Sequence, residues 1–206
     1  MTPLLCSAYL PPINFIVALN GKSKASLERF DNYQKQTYRN RCVIAGANGP
    51  LALSVPVEKG STPRQQMKDV RISSHSDWRR SHLTALESAY MNSPFFIYYQ
   101  DDLRSVYDKN HKFLFDLNID LFRKIIELID IQVTLSPTES YQKNNNDVTD
   151  FRYLIEPGKH SMDNMNTTQY YQVFQQKNGF LPNLSVVDLL FNMGPESQLI
   201  LNSLIL

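Results

Sequence analysis

Between Tyr33 and Arg41 the chain sets three cations, Lys35, Arg39 and Arg41, among Gln34, Gln36, Tyr38 and Asn40. An arginine fork matches two phosphate or carboxylate oxygens at once, and an asparagine amide both donates and accepts. With two tyrosines beside them, these side chains suit an anionic small molecule such as a nucleotide sugar or a sugar phosphate. Read as a strand, residues 38–41 turn Arg39 and Arg41 to one face, where they converge on a single anion, and Tyr38 and Asn40 to the other. A solvated strand of snorkelling cations fits the same residues. A nucleic-acid platform also interleaves basic and aromatic side chains. The net charge of +1 argues against that, because it leaves no field to concentrate a polyanion.

His82 and Asp69 are the candidate proton acceptors. His82 falls on the apolar stripe of a helix, one turn after Trp78, and a partly buried imidazole is the side chain most easily tuned to act near neutral pH. The competing reading is a hydrogen-bonded core histidine. Asp69 follows Lys68 and is either a working carboxylate or half of a surface ion pair. Tyr9 closes the apolar run Leu4 to Leu10 just before Pro11 and Pro12. A first strand that turns there into a helix over Asn14 to Leu19 sets Tyr9 and Asn14 where open α/β sheets place ligands. His75, His111 and His160 have no partners at metal-ligand spacing, so no metal site is expected. Gly46-Ala47-Asn48-Gly49 is too short for a phosphate loop, no Gly-x-Ser-x-Gly elbow is present, and no cofactor is specified.

The elements that must position these residues follow from punctuation and periodicity. Ser26 to Asp31 is a weak second strand. Cys42 to Ala45 and Leu51 to Val57 flank Asn48-Gly49 as a hairpin, and Met67 to Ser73 alternates as a further strand. Helices open at Ser76-Asp77, Ser93-Pro94 and Asn118, with stripes led by Trp78, Phe96 and Phe122. Ile131 to Leu135, Phe151 to Ile155 and Tyr170 to Phe174 read as short strands. Ser185 with Asp188 three residues on has a capping-box pattern. The fold class expected is α/β: a three-layer single domain over 1–206, with a mixed sheet that includes the hairpin and helices covering it. The polar region 138–169, with Asn144-Asn145-Asn146 in it, is expected to be a flexible loop.

A length of 206 residues supports one sizeable core, and eleven each of Tyr and Phe favour a folded chain over disorder. Cys6 and Cys42 lie in apolar runs and are expected to be reduced. No stretch approaches the roughly 18 apolar residues of a membrane span, and no leader pattern is visible, so the cytoplasm is the expected compartment. The oligomeric state is not readable.

Taken in order, AYLPPINF, NYQKQTYRNRCVI, WRRSHLTALESAYMNSPFF and PNLSVVDLLFNMG resemble the WbqC-like protein family over most of the chain. The resemblance implies a role in surface-polysaccharide biosynthesis of the O-antigen type, as a transferase moving glycine or another acyl group to a nucleotide-linked or phosphorylated sugar. In that role Lys35, Arg39 and Arg41 hold the anion, Tyr38 and Asn40 orient the sugar, Tyr9 belongs to the substrate site, and His82 or Asp69 takes the proton. Ser7-Ala8 stands where the family often carries Gln-Pro, and the segment between Pro137 and Tyr170 is shorter than in larger relatives. A non-catalytic binding or scaffold protein, docking a partner through the same cluster, is the alternative.

Overall fold

The computed structural model describes residues 1–60, 64–143, 147–154, 157 and 168–204. The first apolar run forms β1 (Thr2–Cys6), which ends well before the prolines, and the short helix α1 (Ile13–Val17) follows them. The chain returns as β2 (Lys24–Glu28), parallel to β1 with Leu5 opposite Leu27. β5 (Thr134–Pro137) adds to the outer side of β2, and β6 (Val148–Asp150) to the free side of β1. The order β5-β2-β1-β6 is parallel throughout. Leu4, Leu5, Cys6, Ala25, Leu27 and Leu135 are buried, the run of apolar side chains that a covered parallel sheet requires.

The expected hairpin is present as β3 (Arg41–Gly46) and β4 (Gly49–Ser54), with Gly46 opposite Gly49 and Gly49 at φ 110°. A Cβ on Gly46 would come within 3.1 Å of the Gly49 carbonyl oxygen and 3.2 Å of the Leu51 Cβ, so a side chain there would be tightly packed. The α/β class with a hairpin and covering helices is therefore present, and the two kinds of pairing are divided between two sheets. β3 cannot join the parallel sheet because its edge is engaged elsewhere: the Val43 carbonyl accepts the Ser185 N–H at 2.7 Å, and the Ala45 N–H reaches the Tyr90 hydroxyl at 3.1 Å.

Three helices follow, α2 (Trp78–Tyr90), α3 (Phe96–Tyr107) and α4 (Leu114–Leu128). α4 starts before Asn118, which is buried inside it rather than capping it. The expected strand at Met67 to Ser73 is instead a 3-10 turn at Met67–Asp69 followed by single bridges, Val57 to Ile72 and Arg71 to Phe113. Its alternation was a true burial signal, since Val70 and Ile72 are buried, but the partner segments are too short for a ladder. Tyr170 to Phe174 does not form a strand, and β6 arises in the polar stretch ahead of Phe151. Ile155 and most of the loop expected from Gly158 lie outside the described residues.

The chain closes with α5 (Gln175–Asn178), α6 (Val186–Met193) and α7 (Ser197–Ser203). α6 is buried on nearly every side. The Ser185 hydroxyl donates to the Leu10 carbonyl at 2.8 Å instead of capping α6, so the capping-box pattern is a tertiary clasp between the two ends of the sequence. One continuous apolar cluster joins residues of β1, β2, α1, α2, α3, α4 and α6. Among the described residues no helix is long and apolar enough to cross a membrane.

Candidate functional site

The loop that follows β1 carries the first site residue. Leu10 is held at φ 40°, in the left-handed region that a branched side chain enters only at a cost of about 1–3 kcal/mol. Three hydrogen bonds fix it: Ser185 Oγ to the Leu10 carbonyl, the Val186 N–H to the Pro11 carbonyl, and the Tyr9 N–H to the Tyr38 carbonyl. The strained turn sends the Tyr9 side chain inward. Its hydroxyl lies 2.7 Å from His82 Nδ1 and 2.5 Å from the Tyr107 hydroxyl. The indole of Trp78 meets the His82 ring edge-on at 5.2 Å.

Burial pushes His82 down to about 4, and a hydrogen bond to the Ser54 backbone offsets only part of that. At neutral pH the imidazole is therefore uncharged, and its Nδ1 can accept a proton from Tyr9. Burial, with the two phenols facing each other, raises Tyr9 well above the usual phenol range, and burial likewise raises Tyr107. A directed chain results, from Tyr107 to Tyr9 to His82. Tyr107 also lines a groove of about 450 Å³ between α2 and α3, together with Arg79, Arg80, Arg104 and three acidic residues.

The cationic hub sits over the carboxyl ends of the parallel strands. Residues 35–40 lie in turns rather than in a strand, and β3 begins only at Arg41. The alternation expected to align Arg39 with Arg41 is therefore absent. Arg39 is 1% exposed, and its Nη2 meets Asp31 Oδ2 at 2.5 Å, while Tyr153 donates to the other Asp31 oxygen at 2.7 Å. Next to it Arg152 binds Asp150 through Nε and Nη2, and Glu28 and the Gln142 carbonyl through Nη1. The Tyr153 ring lies against both guanidiniums, 6.0 Å from Arg39 and 5.7 Å from Arg152. Burial pushes Asp150 up, but the hydrogen bonds and charge of Arg152 outweigh it and hold the carboxyl below its usual range. Asn118 Nδ2 ties this hub to the loop after β1 by donating to Ser7 Oγ at 3.1 Å and to the Arg39 carbonyl at 2.8 Å.

Of the residues singled out by sequence, Tyr9, Tyr38 and His82 are brought together, and Arg39 is joined to the same loop through Asn118. Asn40 is half-buried and donates to the Val55 carbonyl at 3.0 Å. Arg41 opposes Ser54 at the start of the hairpin and is partly exposed, and Lys35 is exposed. Asp69 lies apart from these, its side chain 54% exposed and ion-paired to Lys68 at 2.8 Å. Asn14 is buried, with its N–H on Asn183 Oδ1.

Sequence reasoning passed over Tyr107, Asn118, Arg152 and Tyr153, since two read as helix punctuation or core and two lie in the polar stretch. It also passed over Asp188, which accepts from Tyr90 at 2.8 Å, Tyr170 at 2.6 Å and Gln172 at 3.1 Å. Burial raises that carboxyl to about 6 in spite of those donors. The signal available was a single acid within the otherwise apolar run Val186 to Phe191. Both cysteines are buried thiols, and burial pushes Cys42 up to about 12. Among the described residues no three His, Cys, Asp or Glu side chains gather closely enough to hold a metal ion.

Comparison with known proteins agrees with the order of motifs. The chain is 26% identical over 189 residues to the "Uncharacterized protein Rv1507c" of Mycobacterium tuberculosis, an alignment covering 80% of this chain and 81% of that one. No solved structure matches. A model of the WbqC-like protein family matches residues 7–172 and 159–200, a span that holds the Tyr9 loop, the hub, the Trp78 helix and α6, and the chain belongs to that family.

Proposed function

We propose that the protein is a cytoplasmic transferase of surface-polysaccharide biosynthesis, moving glycine or another acyl group to a nucleotide-linked or phosphorylated sugar. The observation that carries the reading is the 2.7 Å contact between the Tyr9 hydroxyl and a neutral, buried His82. As an acceptor hydroxyl or amine attacks the acyl carbon, its proton passes to the Tyr107 oxygen, that of Tyr107 to Tyr9, and that of Tyr9 to His82 Nδ1. The same chain run backwards delivers the proton to the leaving group, so no charge remains behind. With His82 held near 4, its protonation at pH 7 costs about 4 kcal/mol, which confines it to holding the proton during transfer. Lys35 and Arg41, which make no ion pair among the described residues, meet the anionic part of the substrate, while Tyr38 and Asn40 orient the sugar.

A second reading, a non-catalytic binding protein, is favoured by one feature: Arg39 and Arg152 are already matched by Asp31, Glu28 and Asp150, as in a purely structural clamp. A thermal-shift screen of nucleotide sugars and acyl donors separates the two. A true substrate at a hundred times its dissociation constant stabilises by about 2.7 kcal/mol, and turnover then falls in Tyr9→Phe and His82→Gln. Silence toward every small molecule, with stabilisation by a protein partner, establishes the second reading.

A further inference from the structure

A different face of the molecule carries an excess of positive charge. The bridge between Arg71 and Phe113, flanked by the Ile72 N–H on the Lys112 carbonyl at 3.0 Å and the Leu114 N–H on the Val70 carbonyl at 2.9 Å, brings the segment before α2 against the turn before α4. Between them lies a groove of about 390 Å³, within the size range of small-ligand sites. Arg71, Arg79 and Lys112 line it with Glu58 as the sole carboxylate, a formal balance of three positive charges to one negative.

The cations are held in place by aromatic rings. Arg71 and Lys112 stand 5.6 and 5.8 Å from the Phe113 ring, and Arg79 lies 4.7 Å from Trp78 while donating to the His111 carbonyl. Among the described residues none of the three makes an ion pair. Behind the groove surface, two nitrogens of lining residues, Arg79 Nε and His111 Nδ1, are buried without a partner. The His111 side chain is only 8% exposed, and its other nitrogen is engaged by Asp120 at 3.0 Å. The neighbouring groove between α2 and α3 shares Arg79 with this one and shows no such excess, its three arginines being equalled in number by Asp77, Glu87 and Asp108.

We propose that this groove is a phosphate-binding site whose ligand is a phosphate or diphosphate group. Its excess of two positive charges matches a phosphate dianion, and Ser73 and Ser74 add hydroxyl donors at the rim. The site stands on its own geometry, whatever reaction the Tyr9–His82 chain carries.

Calorimetric titration with inorganic phosphate, pyrophosphate and uridine diphosphate tests it. Wild-type protein binds pyrophosphate saturably, and added salt weakens the binding. Arg71→Gln and Lys112→Gln, both exposed positions whose folding is checked by circular dichroism, each lower affinity by about tenfold or more, whereas Arg123→Gln on the outer face of α4 leaves it unchanged. Uridine diphosphate binding more tightly than pyrophosphate identifies a nucleotide ligand, and equal affinities identify the bare diphosphate; both support the site. Absence of saturable heat with all three probes, or undiminished binding in both groove variants, overturns it.

Discussion

The hub at the strand ends and the groove beside Phe113 are built from the same residue types and use them in opposite ways. At the hub, Arg39 is 1% exposed and its charge is met by Asp31, with Arg152, Glu28 and Asp150 continuing the network. At the groove, Arg71 and Lys112 are exposed and rest on an aromatic ring, and among the described lining residues Glu58 is the one carboxylate. A cluster of arginines in a sequence is therefore not by itself a binding site. What separates a clamp from a receptor is whether the fold has already supplied the counter-charge.

The largest expected effect comes from breaking the clamp. Arg39→Ala or Asp31→Ala leaves an unpaired buried charge and should cost about 3–5 kcal/mol in urea unfolding, most of it recovered in the Asp31→Leu, Arg39→Met double variant. Slightly smaller effects belong to the two buried titrating groups, which oppose each other. Asp188 sits near 6 in the folded state against an ordinary 3.8, so its contribution to stability is full below 3.8 and is lost as pH rises through 6, a change of about 3 kcal/mol. His82 sits near 4 against 6.5, so its contribution is full above 6.5 and is lost as pH falls through 4, again about 3 kcal/mol. The two offset in the native chain. Asp188→Asn should make stability rise from pH 4 to 6.5, and His82→Gln should make it fall over that window; the same slope in both variants would mean that neither group is perturbed as described.

Next in size is Tyr9→Phe, which orphans the Tyr107 hydroxyl and His82 Nδ1 and should cost about 1–3 kcal/mol. Turnover should fall with it if the chain handles a proton. Smallest is Arg71→Gln, within about 0.5 kcal/mol of wild type in the absence of ligand. A large loss there would mean that the groove cations hold the fold together after all.

Much of the scaffold was legible. Alternation at Leu51 and Leu53, the Asn-Gly pair and the Trp78 stripe each lead to an element that forms, because local turn chemistry and helical period act over a few residues. Tyr9 was expected at the end of a strand running to the prolines, whereas the strand stops at Cys6 and Tyr9 sits in the loop that follows. The counter-charge was not legible: Asp31 stands eight residues before Arg39 and meets it only because residues 35–40 turn back, and Arg152 reaches Glu28 across 124 positions. Nor could the charges around Phe113 be grouped, since Arg71, Arg79 and Lys112 come from three separate elements. His82 illustrates the middle case. Its stripe predicts burial, and only the fold reveals that Tyr9 and Tyr107 are what it is buried against.

The division between clamp and receptor is tested most directly by titrating pyrophosphate into the Asp31→Leu, Arg39→Met double variant, in which the hub loses the buried Arg39–Asp31 pair. The affinity is expected to equal that of wild type, because the hub cation was never free to meet an anion. A loss of tenfold or more in a variant that still unfolds cooperatively would contradict the account and return the anion site to Arg39.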